Sequence, residues 1–240
     1  MFSTEGARAA PERPPKPEDL LKGHRNRLRS RFMGGGTDAV ADYELLELVL
    51  FRAIPRRDVK PVAKRLLSRF GGFAGVISAD VARLREIDGL GEAAIVELKI
   101  VEAAAVAMLR DRVMDQPVLT DGDAVVDYCR AALAHRAVEE FRVLFFDSKN
   151  RLIADEALSR GTVDQVAVYT REVMARALAL KAVALILVHN HPSGDPTPSR
   201  ADIEMTREIV AAGRTMRVSV HDHLIIGATG AVSLRADGKM

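Results

Sequence analysis

The stretch Val183-Ala-Leu-Ile-Leu-Val-His-Asn-His-Pro-Ser-Gly-Asp-Pro-Thr-Pro-Ser-Arg-Ala-Asp202 decides the fold of the second half of the chain. Its first six residues are apolar and mostly branched, which predicts a buried strand. Residues two apart on a strand share a face, so His189 and His191 can aim their imidazoles at one point where the strand ends. Prolines and a glycine then interrupt regular structure, and helical spacing resumes at Ser199. The stretch therefore predicts a strand, a polar loop and a helix.

The same stretch carries a candidate metal site. Asp202 lies in the first turn of the predicted helix, which starts beside the two histidines. Two imidazoles and one carboxylate suit zinc, with ligand distances of roughly 2.0 to 2.2 Å and a fourth position open to water. An open position is typical of catalytic sites rather than structural ones. We therefore expect His189, His191 and Asp202 to hold one catalytic zinc ion per chain.

Simpler interpretations of these residues stay open. The pair Ser199-x-x-Asp202 is also a capping box, which would satisfy the start of the helix without any metal. A second His-x-His sequence, His221-Asp222-His223, competes for the metal. No polar loop follows this second pair, and no carboxylate lies three to twelve residues beyond it. We expect it to pack, or to orient a ligand of the first site.

The motif His-x-His-Pro, six residues, Ser, two residues and Asp resembles the signature of the JAMM, or MPN, metallopeptidase-like domain. The segment from Asn190 to Pro196 resembles the bacterial RadC branch of that class. The likeness covers most of residues 117–235 and extends through Phe141-Arg-Val-Leu-Phe-Phe-Asp147, Asn150-Arg-Leu-Ile153, Ser159-Arg-Gly-Thr162 and Asp222-His-Leu-Ile-Ile-Gly227. It implies the fold and the activity of a zinc metallopeptidase.

The resemblance also implies a role for each site residue. His189, His191 and Asp202 would bind zinc, and Ser199 would help to stabilise an oxyanion. A glutamate two residues before a phenylalanine would activate the attacking water, which selects Glu139. The alternation of a strand also places Glu139 on the face of Phe141, whereas the neighbouring Glu140 is expected to face out.

Composition narrows the class of protein. The chain has 240 residues, 48% hydrophobic residues and a net charge of only +2, so any nucleic-acid contact must come from a local patch. Cys129 is the only cysteine, which excludes an internal disulfide and the cysteine-based zinc sites. No apolar run approaches about 18 residues, and the first 19 residues have no signal-peptide core. The sequence predicts a soluble, cytoplasmic protein with no membrane partner.

The chain divides into three predicted parts. Residues 1–20 are rich in proline and charge and predict a disordered tail. Residues 21–112 predict a small all-α domain, and residues 117–240 predict an α/β (α+β) domain with a mixed sheet flanked by helices. The predicted helices span 42–51, 59–70, 80–87, 92–109, 121–133, 164–180 and 199–212, the last one ending at Gly213. The predicted strands span 139–147, 151–157, 183–189, 217–221, 223–227 and 231–235.

The all-α domain carries two features that favour DNA as a partner. Residues 22–31 contain five lysines or arginines and no acid, which suits either a phosphate-contacting face or an ordinary solvated helix. Residues 84–99, with the turn Asp88-Gly-Leu-Gly91, resemble a helix-hairpin-helix, a module that often binds DNA backbone. Glu92 beside the hairpin is unfavourable for a phosphate.

Two functions from different classes follow from the sequence. The first is a zinc-dependent hydrolase of the JAMM type, acting on a peptide or an isopeptide-linked substrate. The alternative is a repair or recombination accessory that binds DNA through residues 21–112, with the zinc domain as a scaffold. A partner-binding scaffold with an empty site is a third interpretation, and the complete ligand set argues against it.

Overall fold

The computed structural model describes residues 17–115, 122–161 and 168–240. Most of the predicted tail, residues 1–16, lies outside this part, as does the start of the helix predicted at residue 164. Residues 17–20 were predicted as tail but form the first turn of a helix, so that part of the prediction is wrong. Proline is well tolerated at the first position of a helix, where its missing N–H has no partner to lose.

The first half of the described chain is helical, as predicted. Its helices are α1 Pro17–Gly35, α2 Asp42–Ala53, α3 Lys60–Phe70, α4 Phe73–Ile77, α5 Val81–Arg85 and α6 Glu92–Asp115, with a 3₁₀ turn at Gly36–Ala39. The short helix α4 was not predicted from the sequence. These helices bury one core, in which Leu46, Leu50, Leu66, Leu84 and Leu98 are fully enclosed.

The second half is a five-stranded mixed sheet between helices, which confirms the predicted fold class. Its elements are α7 Gly122–Leu133, β1 Glu140–Phe146, β2 Leu152–Arg160, α8 Thr170–Ala179, β3 Ala184–Asn190, α9 Arg200–Met216, β4 Ser219–Ile226 and β5 Ala231–Ser233. The strand order is β2-β1-β3-β4-β5; β3 and β4 are parallel and the other neighbours are antiparallel.

The two faces of the sheet bury separate cores, because side chains alternate along each strand. Phe141, Val143 and Phe145 of β1 pack under α8 and α9. Leu144 and Phe146 pack under α7. The long helix α6 contributes to both halves of the molecule, since its first turns join the helical core and its last turns pack with α7.

Two boundary predictions around β4 are wrong. The strands predicted at 217–221 and 223–227 form one continuous strand, Ser219–Ile226. His221 is the extra residue at a register shift, because Leu185 pairs with Val220 while the adjacent Ile186 pairs with Asp222. A bulge of this kind breaks the alternation of side chains without ending the strand.

Helix α9 continues past Gly213, where the sequence predicted its end. A Cβ on Gly213 would lie 2.5 Å from the Val218 carbonyl oxygen, so the glycine permits close packing of the returning chain. The helix ends instead at Arg217, which adopts a left-handed conformation with φ 58°. Gly213 is therefore a packing residue and not a helix terminator.

Candidate metal centre

The carboxyl end of β3 and the start of α9 bring three of the predicted site residues together. Ligand atoms of His189, His191 and Asp202 all lie within 4.8 Å of one another, close enough to hold a metal ion. The two Nε2 atoms are 3.0 Å apart, and Asp202 Oδ1 lies 3.4 Å from His189 Nε2. Among the described residues, no other group of three histidine, cysteine or acidic side chains meets this condition.

A chain of hydrogen bonds fixes which nitrogen of His189 faces the cluster. Thr206 donates its only hydroxyl hydrogen to the Asp202 carbonyl oxygen at 2.5 Å, so its oxygen accepts from His223 Nδ1 at 2.6 Å. His223 Nε2 then accepts from His189 Nδ1 at 2.8 Å. This assignment follows from the hydrogen-bond network. It leaves His189 Nε2 without a hydrogen and directed at His191.

His191 is fixed in the same way by a backbone carbonyl. Its Nδ1 lies 2.8 Å from the Asp195 carbonyl oxygen, which only accepts, so Nδ1 carries the hydrogen. In the neutral ring the lone pair is then on Nε2. Two lone pairs 3.0 Å apart repel each other unless a cation or a proton lies between them. The donor set therefore fits a metal ion, with the far nitrogen of each ligand already hydrogen-bonded.

The electrostatics favour a neutral His189 beside an ionised Asp202. Burial lowers the pKa of His189 to about 4, in spite of the nearby Asp202. The contact with Asp202 raises the pKa of His191 against the effect of its partial burial. Burial opposes the ionisation of Asp202, yet its contacts with His191, His189 and Ser199 hold its pKa well below the usual range.

The capping box and the metal cluster coexist. Ser199 N–H donates to Asp202 Oδ2 at 2.7 Å, and Asp202 N–H donates to Ser199 Oγ at 3.1 Å. One carboxylate oxygen thus starts the helix while the other faces His189. The loop before Ser199 packs tightly on the end of β4, where a Cβ on Gly227 would lie 2.4 Å from the Gly194 carbonyl oxygen. Both interpretations of the Ser-Asp pair are compatible with the geometry.

Glu140 was expected to face out, and this expectation is wrong. It is buried, on the face of the sheet opposite Phe141, and forms ion pairs with Arg142 and Arg160. The prediction failed because Arg142, two residues on, shares that face and supplies a partner for the carboxylate. Glu140 is therefore committed to a structural network and is not available to the metal cluster.

Asn190 holds the chain on both sides of Glu139. Its side-chain oxygen accepts from Glu140 N–H at 3.0 Å, and its amide nitrogen donates to the Val138 carbonyl at 3.2 Å. The Glu139 carbonyl in turn accepts from Gly161 N–H at 3.0 Å. Asn190 is 1% exposed and lies between the two histidines, with its side chain on the other face of the strand. The metal cluster and Glu139 are thus held by neighbouring residues of one strand.

The cluster opens into a cleft of about 1480 Å³ between the two halves of the molecule. Glu139, His191, Ser199 and Asp202 line one side. The charge of Glu139 is among the smaller influences that raise the pKa of His191, after the contact with Asp202. The structure therefore brings the five predicted site residues together around one cleft, with His189 buried behind it.

The site residues outside the candidate ligand set were not predicted from the sequence. Thr206 and Asn190 orient the cluster and Glu139, respectively, and these contacts join segments that are distant in the sequence. His223 lies behind His189, in the ligand-orienting position expected of the second histidine pair. His221 is directed elsewhere and contacts Asn150 Oδ1 at 3.0 Å.

Two arginines of the basic run in α1 are used in contacts within the protein. Arg25 is buried and donates to the carbonyls of Ile54 and Arg57 at 2.6 and 2.8 Å. Arg31 forms an ion pair with Glu44. These two attach α1 to α2, whereas Arg27 and Arg29 are exposed cations.

Two arginines also donate to the backbone of the glycine hairpin, residues 88–91. Arg57 donates to the Gly89 carbonyl at 3.0 Å, and Arg65 donates to the Asp88 carbonyl at 2.8 Å. Both arginines stabilise the turn.

In the described ranges, no helix combines the length and apolar character needed to cross a membrane.

Comparisons with known proteins match both halves of the chain. Residues 119–239 match the model of the RadC-like JAB domain, and residues 23–96 match the UPF0758 N-terminal model. A protein named UPF0758 from Rhodobacter capsulatus is 60% identical over 211 residues, which are 88% of this chain and 99% of that one. UPF0758 protein SPO0054 from Ruegeria pomeroyi is 58% identical over 218 residues, covering 91% and 97% of the two chains.

Proposed function

The chain belongs to the RadC family, and on that premise we propose that it is a zinc-dependent hydrolase that cleaves amide bonds, as a JAMM-type peptidase or isopeptidase. The observation that carries the proposal is the pair of imidazole Nε2 atoms 3.0 Å apart, with a carboxylate beside them, at the base of a cleft. Two neutral histidines and one carboxylate are a common ligand set of catalytic zinc.

His189, His191 and Asp202 would hold the ion. Zinc bound there would lower the pKa of a water molecule toward about 7 and polarise the scissile carbonyl. The hydrogen bonds from His189 Nδ1 to His223 and from His191 Nδ1 to the Asp195 carbonyl keep both rings in the orientation and tautomer that this role requires.

Glu139 and Ser199 would carry the proton and the developing charge. Glu139 would take a proton from the attacking water and pass it to the leaving amine. Ser199 Oγ already accepts the Asp202 N–H, so its own hydroxyl hydrogen can be donated to an oxyanion. Glu140 is excluded as the base because Arg142 and Arg160 hold its carboxylate.

Digestion of a diverse peptide library tests the proposal. Protein loaded with zinc should release new amino termini, which mass spectrometry identifies. Removal of the metal by a chelator should stop the reaction, and added zinc should restore it, since the water and the carbonyl are no longer activated without the ion. Cleavage that persists unchanged in metal-free protein would refute the zinc mechanism.

DNA binding through residues 21–112 remains a second proposal. The exposed Arg27 and the cleft of about 470 Å³ formed by Arg56, Gly91 and neighbouring residues beside the start of α6 favour it. Binding should be independent of sequence and should weaken steeply with salt, because each phosphate contact releases counterions. Titration of the full chain with duplex DNA at two salt concentrations checks this. Absence of binding at low salt would contradict it.

A further inference from the structure

The cleft in front of the metal cluster has a second wall that is built mainly by the helical half of the molecule. Arg69, Phe70 and Arg83 line it from α3 and α5. Arg136, in the segment between α7 and β1, adds a third arginine to this wall from the other half. A substrate bound at the metal cluster therefore also meets a surface built by another part of the chain. The residues of that surface influence which substrate is accepted.

The charges of the two walls differ. On the metal side, the formal charges of a zinc ion, Asp202 and Glu139 sum to zero. On the opposite side, three arginines face the single carboxylate of Asp80. The Asp80 carboxylate caps the start of α5, where it accepts the Ala82 N–H at 2.7 Å. The wall opposite the metal is therefore a cationic surface.

Contacts within the wall hold the arginines without neutralising all of them. The guanidinium of Arg83 lies 5.1 Å from the centre of the Phe70 ring, which restrains it but accepts none of its N–H groups. Arg69 has a weak partner in Glu86 at 3.5 Å. Within the part of the chain that the structure describes, Arg83 and Arg136 have no ion pair. Their N–H groups can therefore donate to a carboxylate on a substrate.

We propose that this wall, formed by Arg69, Arg83 and Arg136, selects peptides that carry an acidic side chain near the scissile amide. The inference rests on the proposed function, since it assumes that the amide lies at the metal cluster. The substrate backbone would cross the neutral side of the cleft, and its carboxylate would reach the arginines. Complementary charge of this kind contributes mainly to specificity.

The three carboxylates in the same cleft favour an acidic peptide over a nucleic acid. Asp80, Asp202 and Glu139 all line it. These carboxylates cancel the charge of the zinc ion and reduce that of the arginines, so a strand of regularly spaced phosphates crossing the cleft would meet net positive charge along only part of its length. A peptide can instead place one or two charges at the arginines and neutral groups elsewhere.

Peptide binding tests the inference separately from catalysis. The probe is a short fluorescein-labelled Gly-Ala peptide with two glutamates, compared with a twin that carries glutamines. Both are titrated by fluorescence anisotropy into zinc-loaded full-length protein carrying Glu139→Gln, which suppresses turnover. The glutamate peptide should bind more tightly. Arg69→Gln and Arg83→Gln should each weaken it by roughly two- to fivefold, the range of exposed ion pairs.

Arg171→Gln is the matched control, because Arg171 lies over the Tyr169 ring at 5.5 Å but does not line the cleft. Equal affinity for the two peptides, or an equal loss in the control, would overturn the inference. Tighter binding of a thymidine oligonucleotide, abolished by Arg83→Gln, would assign the wall to nucleic acid instead. A glutamine peptide with a free carboxyl terminus, compared with its amide, distinguishes side-chain from terminal carboxylates. Selective binding without any hydrolysis by the parent protein would refute the proposed function and leave standing only the preference of this wall for acidic peptides.

Discussion

The carboxyl end of β3 and the basic run of α1 both carry clustered polar residues, yet the structure uses them in opposite ways. At β3, His189 and His191 turn their Nε2 atoms toward each other, and their Nδ1 atoms are fixed by hydrogen bonds. In α1, Arg25 turns its donors to backbone carbonyls. A polar motif thus indicates a binding site when its own groups leave one another unsatisfied, and a structural role when they satisfy the backbone.

Substitution of the metal ligands gives the largest expected effect. His189→Ala, His191→Ala and Asp202→Ala should each remove most of the zinc, because a catalytic site has only three protein ligands. His221→Ala should leave the zinc content near that of the parent, since His221 contacts Asn150. Metal analysis of the purified proteins measures this. Zinc loss only in His221→Ala would move the site to the second histidine pair.

Asn190→Ala should lower the turnover number by up to about 10²-fold, the cost of a small displacement of a catalytic group. The two hydrogen bonds that bracket Glu139 would be lost, while the ligands would remain. Zinc content and KM should change little, which separates this effect from that of ligand loss. An unchanged turnover number would show that Glu139 needs no support from Asn190.

His223→Ala should weaken zinc binding by about 10- to 100-fold, the usual effect of removing a group that orients a ligand. It removes the hydrogen bond to His189 Nδ1 and leaves the three ligands in place. Competition with a chelator of known affinity measures the change. Affinity equal to that of the parent would mean that packing alone orients His189.

The same comparison shows which parts of the structure could be predicted from sequence. The strand-loop-helix around His189 was predictable because a continuous apolar run, prolines and a capping pair act over a few residues. The burial of Glu140 was not, because its partner Arg160 is on another strand. The full length of α9 was not predictable either. A glycine after a helical pattern predicts the end of the helix, whereas Gly213 allows the close approach of Val218, a contact that the local pattern does not show.

Site residues divide in the same way. The three ligand candidates are recognisable by type and spacing along one segment. Thr206 and His223 are recognisable only after folding, because α9 and β4 bring them behind His189. The cleft is visible only in three dimensions, since Arg83 and Ser199 come from different halves of the chain.

The smallest effect concerns stability in the helical half. Arg25→Met should reduce the free energy of unfolding by about 1 to 3 kcal/mol, because the carbonyl of Ile54, in a buried hydrogen bond, and that of Arg57, in a partly buried one, lose their donor. Arg27→Met, at an exposed position of the same run, should stay within about 0.5 kcal/mol. Urea denaturation compares the two. Equal losses would mean that the run does not divide into structural and exposed cations.

The central claim, that Glu139 acts as general base beside a metal held by His189, His191 and Asp202, is tested most directly by the turnover of Glu139→Gln. The substitution keeps the size of the side chain and removes its ability to accept a proton. Turnover on any peptide that the parent cleaves should fall by about 10²- to 10⁴-fold, the usual contribution of general acid-base catalysis. Zinc content and melting temperature should be unchanged. Undiminished hydrolysis by Glu139→Gln with a full complement of zinc would contradict the account.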